Sequence, residues 1–286
     1  MDTEGVTSAN LGRFNLTLAR LISLLTLIQW NLTQISGGAL EFTDCKNCVR
    51  LSSFGKPHSL KRLELWYMDN LKYLDDECQD GTDVRVFPSL EDLVLKWLPN
   101  LEGLLKVERG EMFPCLSHLE IASCPKLRRV PCLQSLKRLT IRGFNNELLG
   151  SISILCGLTT LNLFDGYKCE LTSFPEGMLR NLTCLQNLRI FSYPKLKELP
   201  NEPFNLAMEH FHIPHCDELE SLPEQSLRTL EIWDCKGLLC LPEGIRHLTS
   251  LEYLLILSSP TLVKRCKEGT GEDWDKIAHI PRLSIG

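Results

Sequence analysis

The chain repeats one short arrangement of hydrophobic and polar positions, written apolar-x-x-apolar-x-apolar and followed by a later Cys or Leu. One copy is Leu116-Ser-His-Leu119-Glu-Ile121, which reaches its cysteine at Cys124. The arrangement starts at nine positions: Leu60, Leu90, Leu116, Leu136, Leu158, Leu185, Met208, Leu227 and Leu251. Successive starts are 19 to 30 residues apart. A period of this size identifies an array of structural repeats.

Inside each copy the apolar-x-apolar step, as in Leu63-x-Leu65 and Leu139-x-Ile141, has the period of two that is typical of a strand. Strands from successive copies are expected to lie parallel and to bury leucine on one side. The predicted fold is therefore α/β, an irregular leucine-rich-repeat solenoid (horseshoe) with a parallel sheet on the concave side. Such solenoids offer extended surfaces, and their usual role is to bind macromolecules.

The segments that return from one strand to the next begin with a recurrent proline. It follows the last apolar residue of the unit at five places: Val130-Pro131, Phe174-Pro175, Leu199-Pro200, Leu222-Pro223 and Leu241-Pro242. Proline fixes its own φ and favours extended geometry in the residue before it, so it redirects the chain there. The returns after Pro175 and Pro242 are near copies, and each could form a short helical turn. Because the unit lengths vary, the convex side should be mostly loop.

Three regions follow from this pattern. Residues 1–35 form a degenerate N-terminal cap, in which residues 22–30 are read as a divergent first repeat. Residues 36–266 form the leucine-rich-repeat array of about nine to ten repeats, and residues 267–286 form a C-terminal tail or cap. Caps are expected because the end repeats of a solenoid have no neighbour to cover their leucines.

Composition and motifs narrow the chemistry. The net charge is −5 with no basic run, which argues against a nucleic-acid partner. The chain has no Gly-x-x-x-x-Gly-Lys-Ser/Thr loop, and Gly269-Thr-Gly271 has neither the spacing nor the lysine needed to hold a phosphate. No phasing of Ser, His and Asp forms a triad. We therefore expect no enzyme, no cofactor and no catalytic residue.

The thirteen cysteines indicate a reducing compartment. Cys45, Cys124, Cys216 and Cys235 occupy the same phase of the repeat, where a small side chain tucks under the turn, so we expect them to be buried free thiols. The apolar stretch at residues 21–28 is too short to span a bilayer. It lacks a clear cleavage site, which disfavours secretion. A cytoplasmic location is expected.

Several segments resemble the C-terminal repeat region of plant intracellular nucleotide-binding, leucine-rich-repeat (NBS-LRR, coiled-coil type) disease resistance proteins. The segments lie at residues 45–63, 87–93, 241–251 and 266–281, and the tail Cys266-Lys-Glu-Gly-Thr-Gly-Glu-Asp-Trp is the most specific. The resemblance implies a recognition module that binds a pathogen effector, a host protein or a nucleotide-binding switch domain. It implies no nucleotide site here, because the phosphate loop of that switch domain is missing from this sequence.

Two columns of side chains should point outward from the sheet. Aromatic and charged members of these columns form a candidate protein-binding strip on the concave face: Trp66, Arg142, Phe164, Arg189, Phe191, His212, Glu231 and Trp233. Aligned aromatic residues are enriched at protein–protein hot spots. The alternative is that these rings pack along the column as a structural ridge, or that loops cover them.

Other interpretations stay open at this stage. His210, His212, His215 and Cys216 have a metal-like spacing, but no convergent fourth ligand can be named, so no metal site is predicted. A substrate-recruiting solenoid of a ubiquitin ligase is the alternative function, although residues 1–35 are too short for an adaptor-binding domain. An extracellular receptor would favour a regular 24-residue unit, and the steps found here are uneven.

Overall fold

The computed structural model describes residues 38–44, 60–74, 87–106, 113–143, 145–165, 170–199, 208–222 and 227–286, with the backbone of Asn15–Leu16. The chain divides into two units, Met1–Lys126 and Leu127–Gly286. The divergent repeat at residues 22–30 and the cysteines Cys45 and Cys48 lie outside the described residues.

The first unit contains five described strands, and each of the first four pairs in parallel with the strand that follows it. They are β1 Asn15–Leu16, β2 Ala39–Thr43, β3 Arg62–Trp66, β4 Asp92–Lys96 and β5 His118–Ala122. The register places Leu63 opposite Leu93, and Leu93 opposite Leu119. Equivalent leucines of successive repeats are therefore stacked, as the periodicity predicts.

The second unit has the same construction, with seven described strands, each parallel to its sequence neighbours within the unit. They are β6 Arg138–Arg142, β7 Thr160–Phe164, β8 Asn187–Phe191, β9 His210–Pro214, β10 Thr229–Trp233, β11 Tyr253–Leu257 and β12 Arg282–Ile285. Its described helices are short: α1 Asn146–Ser151, α2 Pro260–Arg265 and α3 Trp274–Ile277, with single 3-10 turns at Ile152–Ile154 and Glu243–His247.

Alternation along each strand decides which side chains enter the core. In β3 the buried residues are Leu63 and Leu65, and in β8 they are Leu188 and Ile190, while the residues between them face outward. The nine pattern-starting residues from Leu60 to Leu251 are all buried as well. A repeat of this size cannot bury its leucines alone, so each repeat is stabilised by its neighbours.

A second backbone feature recurs just after the strands. The residue that follows the last strand residue adopts positive φ in most repeats; it is Asp44, Tyr67, Trp97, Ser123, Gly143, Ser192, His215, Asp234 or Ser258. Its N–H donates to the carbonyl of the last residue of the next strand, as from Tyr67 to Lys96 at 3.1 Å and from His215 to Trp233 at 2.8 Å. The left-handed residue thus ends one strand and ties it to the next.

The returns are largely irregular, as their uneven lengths predict. The return after Pro242 forms a 3-10 turn at Glu243–His247, whereas the similar return after Pro175 contains hydrogen-bonded turns without a helix. One of the two suggested helical turns is therefore present and the other is absent. The parallel sheet, the stacked leucines and the short helices confirm the predicted leucine-rich-repeat solenoid.

The last twenty residues are folded against the end of the array. β12 pairs with β11 and places Leu254 opposite Leu283 and Ile256 opposite Ile285. Among the residues that the structure describes, no helix has the length and hydrophobicity needed to cross a membrane.

Candidate functional site: the outward side of the sheet in each unit

The strand ends of the second unit bring three predicted strip residues side by side. Arg142, Phe164 and Phe191 are the last residues of β6, β7 and β8. The register pairs Arg142 with Phe164 and Phe164 with Phe191. Because neighbouring strands of a sheet lie about 4.8 Å apart, rings in this register must touch.

These side chains form a continuous stack. The Arg142 guanidinium carbon lies 3.8 Å from the centroid of the Phe164 ring. The Phe164 and Phe191 rings are 4.5 Å apart and nearly parallel, and the imidazole of His212 lies 4.9 Å from Phe191. Both phenylalanine rings remain half-buried, so each ring combines packing along the column with an uncovered side.

Next to the stack the surface forms a recess of about 210 Å³. Its lining residues are Asn187, Leu188, Arg189, His210, Phe211, His212, Thr229 and Glu231. Three predicted strip residues, Arg189, His212 and Glu231, meet here, with His212 Nδ1 3.4 Å from the Glu231 carboxylate. Arg189 is exposed, and no described carboxylate lies within ion-pair distance of its guanidinium.

Two polar atoms beside the recess lack a hydrogen-bond partner in the structure, the buried His212 Nε2 and the buried Asn162 Oδ1. Burial lowers the pKa of His212; the Glu231 carboxylate opposes this effect and Arg189 reinforces it. The imidazole is therefore biased towards its neutral form. Buried polar atoms without partners cost free energy.

Trp233 lies at the end of β10 and is the most exposed aromatic residue of the predicted strip, at 44%. The His215 ring is 6.1 Å from it, and His215 Nδ1 lies 3.0 Å from the Asp234 carboxylate. Hydrogen bonding from His215 lowers the pKa of Asp234. Tryptophan is among the residues enriched at protein–protein hot spots, so Trp233 stays a candidate binding residue.

The remaining predicted residue, Trp66, belongs to the first unit, where it ends β3 and is half-buried. The Lys96 ammonium lies 4.8 Å from its ring centroid, and the Trp97 ring lies 5.7 Å away. Trp97 in turn stacks on Tyr67 at 4.7 Å. Tyr67 and Trp97 lie just beyond the strand columns, so they were not among the predicted residues. Their positions, one residue after the strand-ending Trp66 and Lys96, could have revealed them.

The histidines with metal-like spacing do not converge on one site. His210 and His212 face outward from β9, and the neighbouring Cys216 is buried. Hydrogen bonding with the Cys235 thiol, together with burial, raises the pKa of Cys216, so the thiol stays protonated. Within the described part of the chain, no group of three or more His, Cys, Asp or Glu residues could hold a metal ion.

The cysteines that share one position of the repeat were predicted to be buried, and this is confirmed for the three that the structure describes. Cys124, Cys216 and Cys235 are at most 1% exposed, and burial raises the pKa of Cys124 to about 12. Nine described cysteines are free thiols. Five of these are exposed: Cys115, Cys132, Cys156, Cys184 and Cys240.

Comparison with known proteins shows which proteins carry similar repeats. The chain is 41% identical over 258 residues to the putative disease resistance protein RGA4 of Solanum bulbocastanum. The aligned segment covers 86% of this chain and 26% of that relative. It is 40% identical over 255 residues to the putative disease resistance protein RGA1 of the same species, again over 86% of the chain and 25% of the relative. This chain is a homologue of the plant NBS-LRR disease resistance proteins.

The match spans about a quarter of the length of those relatives, as a leucine-rich-repeat region would. No protein-family model matches the chain. Among solved structures, that of a TLR13–ssRNA13 complex aligns with a TM-score of 0.55 and 15% identity, over 92% of this chain and 38% of the other. At that identity the likeness concerns the fold alone. The resemblance seen in the sequence to plant disease resistance proteins is confirmed.

Proposed function

We propose that this chain is a non-catalytic protein-recognition module of plant innate immunity that acts in the cytoplasm. Its ligand is a protein: a pathogen effector, a host protein that such an effector targets, or a nucleotide-binding switch domain. The homology to disease resistance proteins supports the defence role. Leucine-rich-repeat folds act mainly through their extended surfaces, which supports binding as the activity.

The observation that carries this proposal is the stack on the second unit, from Arg142 through Phe164 and Phe191 to His212. Its rings are held rigidly by their neighbours, so little side-chain entropy is lost when a partner binds. The adjacent recess contains the exposed cation of Arg189 and the unpartnered His212 Nε2. A hydrophobic column beside polar atoms that lack partners matches the composition of protein–protein hot spots.

A pull-down from plant extract tests the proposal. The tagged chain is compared with the double variant Phe191→Ala plus Trp233→Ala, which removes one stacked ring and one exposed ring. Proteins captured by the native chain should be lost from the double variant. A hot-spot residue typically costs 2 kcal/mol or more, so about thirtyfold weaker capture is expected from either ring alone.

Leu239→Ala is the matched control, because Leu239 is exposed at 61% and lies outside the strip. It should capture the same proteins as the native chain. Thermal melting of all three proteins establishes that they are folded. If the folded double variant retains every captured protein, the strip is not the binding surface.

A further inference from the structure

The first unit carries an exposed aromatic pair that the fold does not require. Tyr67 and Trp97 both follow a strand and adopt positive φ, at 55° and 53°. Their rings stack at 4.7 Å with an angle of 6°, and they are 41% and 42% exposed. Bulky residues rarely adopt this backbone conformation, which favours Gly, Asn or Asp.

Other repeats fill the same backbone position with small or polar residues. Six of them use Asp44, Ser123, Gly143, Ser192, Asp234 and Ser258, and one uses His215, whose ring lies 6.1 Å from Trp233. Tyr67 and Trp97 therefore combine backbone strain with exposed apolar surface, and neither ring is buried in the core. Strain of this kind, together with exposed aromatic area, is typical of binding surfaces.

The neighbouring tryptophan shows which charge these rings accept. The Lys96 ammonium lies over Trp66 at 4.8 Å from the ring centroid and is 3.0 Å from the Glu120 carboxylate. Trp66 also contacts Trp97 at 5.7 Å, so Trp66, Trp97 and Tyr67 form one continuous aromatic surface. The chain thus already places one cation on this surface, held by a ring face on one side and a carboxylate on the other.

The charges around the rings are predominantly negative. The outward positions of β2 to β5 carry four carboxylates and two cations, a formal charge of −2; they are Glu41, Glu64, Asp92, Glu120, Arg62 and Lys96. Both cations are already ion-paired within the chain, Arg62 to Glu64 at 2.7 Å and Lys96 to Glu120 at 3.0 Å.

Two of these carboxylates lie directly opposite one another. The register pairs Glu41 with Glu64 on the outward side of β2 and β3. Arg62 already pairs with Glu64, whose side chain is only 12% exposed. No ion pair is described for Glu41, so its carboxylate is the one left to attract a cation from outside. The outward face of β6 to β10 in the second unit is the reverse, with three arginines, Arg138, Arg142 and Arg189, against the single carboxylate of Glu231.

We propose that Trp66, Tyr67 and Trp97 form a docking surface for an arginine-bearing segment of a protein partner. A guanidinium is planar and stacks on aromatic faces, while its N–H groups reach carboxylates at the ring edges. Glu41, on the outward side of the neighbouring strand β2, supplies the carboxylate. None of these residues belongs to the second-unit stack of Arg142, Phe164, Phe191 and His212, so either proposal can fail without the other.

Selection from a phage-displayed heptapeptide library, with the full chain immobilised, tests this docking surface. The selected peptides should be enriched in arginine over the starting library. The best of them is then synthesised and its affinity is measured by fluorescence anisotropy. Changing Tyr67→Ser together with Trp97→Ser should weaken binding at least about tenfold, and Glu41→Gln should weaken it less. Added salt should also weaken it, because the contact includes ion pairs.

Serine is a matched substitution here, because Ser123, Ser192 and Ser258 already occupy the same backbone position. The double variant is therefore expected to keep or gain stability, which thermal melting checks. If the double variant does not fold, the single variant Tyr67→Ser replaces it in the binding measurement. The second-unit variant Phe191→Ala plus Trp233→Ala should bind the peptide normally. Selection of peptides without arginine enrichment, or equal binding by the folded serine variant, would overturn the proposal.

Discussion

The guanidinium of Arg265 donates two hydrogen bonds to the carboxylate of Asp273, from Nε to Oδ2 and from Nη2 to Oδ1, each at 2.9 Å. Asp273 is fully buried and also accepts hydrogen bonds from the Leu241 N–H and from Lys276 Nζ, both at 3.1 Å. Lys276 in turn donates to the Leu241 carbonyl at 2.8 Å. One carboxylate thus ties the return at Leu241 to helices α2 and α3 at the C-terminal end of the second unit.

Removing the charge of Asp273 should destabilise the protein strongly. Asp273→Asn leaves Arg265 and Lys276 facing a neutral amide in a buried site, and breaking a buried ion pair from one side costs about 3–5 kcal/mol. The free energy of unfolding in urea should fall by that amount. Asp275→Asn, at an exposed position two residues on, is the control and should change it by less than about 0.5 kcal/mol. Equal effects of the two changes would show that the buried network contributes little.

The same carboxylate predicts how stability depends on pH. Burial alone would raise the pKa of Asp273, but hydrogen bonds from Arg265, the Leu241 N–H and Lys276 outweigh it and hold the pKa at about 2, against 3.8 for the ordinary group. Because the pKa of Asp273 is lower in the folded than in the unfolded chain, the carboxylate stabilises the fold at any pH above the unfolded pKa, by about 2 kcal/mol. This stabilisation is lost as the pH falls towards 2. The difference in unfolding free energy between the native chain and Asp273→Asn should therefore narrow between pH 5 and pH 2. A difference independent of pH would contradict the ion-pair network.

Truncating a stacked leucine should cost far more than truncating an exposed one. Leu188 is fully buried, between Leu161 of β7 and Phe211 of β9 in the register. Leu188→Ala should lower the unfolding free energy by about 2–5 kcal/mol, through lost burial and the cavity left behind. Leu239→Ala, at a side chain that is 61% exposed, should change it by less than about 0.5 kcal/mol. Chemical denaturation followed by circular dichroism measures both, and similar values for the two would argue against a shared leucine spine.

Thiol labelling should separate two classes of cysteine. Cys124, Cys216, Cys235 and Cys266 are buried, and burial raises the pKa of Cys124 and of Cys266 to about 12. The thiolate is the reactive form, and all four side chains are buried away from the reagent, so these four should label only when the protein unfolds. The five exposed cysteines should label quickly under native conditions. Mass spectrometry of peptides after a short pulse with a maleimide checks this, and rapid labelling of Cys216 or Cys235 would contradict the buried positions.

One glycine should tolerate no side chain. A Cβ on Gly237 would lie 2.4 Å from the Asp217 carbonyl oxygen, a backbone atom of the neighbouring repeat that cannot rotate away. Gly237→Ala should therefore destabilise the fold by about 1–3 kcal/mol, as overpacking usually does. Gly150→Ala is the matched comparison, since Gly150 lies in α1 with no atom within 4 Å of the added Cβ. It should raise stability by about 0.5–1 kcal/mol, because alanine favours a helix over glycine. A Gly237→Ala melting temperature at or above the native value would contradict the close approach.

The repeat pattern was sufficient to predict nine strands, from β3 to β11, because every one begins after a buried apolar residue at a fixed distance. Three further strands, β1, β2 and β12, escaped it, and the reasons differ between β2 and β12. β2 has Gly37 at the position where other repeats place their first leucine, so its pattern is incomplete. β12 does fit, as Ile280-x-x-Leu283-x-Ile285, but its segment was assigned to a tail rather than to a further strand.

The strip residues of the second unit could be placed in columns from the sequence, since alternation fixes which side of a strand a residue faces. The contacts between these side chains could not be predicted from the sequence. Whether Phe164 stacks on Phe191, or Arg142 covers Phe164, depends on the register between strands that are 27 and 22 residues apart in the chain. Tyr67 and Trp97 were missed altogether, because they lie one residue beyond the strand columns from which the strip was chosen.

The sequence alone determined most of the strands, the stacked leucines and the buried position of the repeat cysteines. These depend on a short pattern of apolar and polar residues that recurs in each repeat. The tertiary structure alone decided the aromatic stacks, the recess beside Arg189 and the burial of Asp273. Each of these depends on side chains brought together from different repeats across returns of unequal length, and no short-range pattern specifies how such returns position their ends.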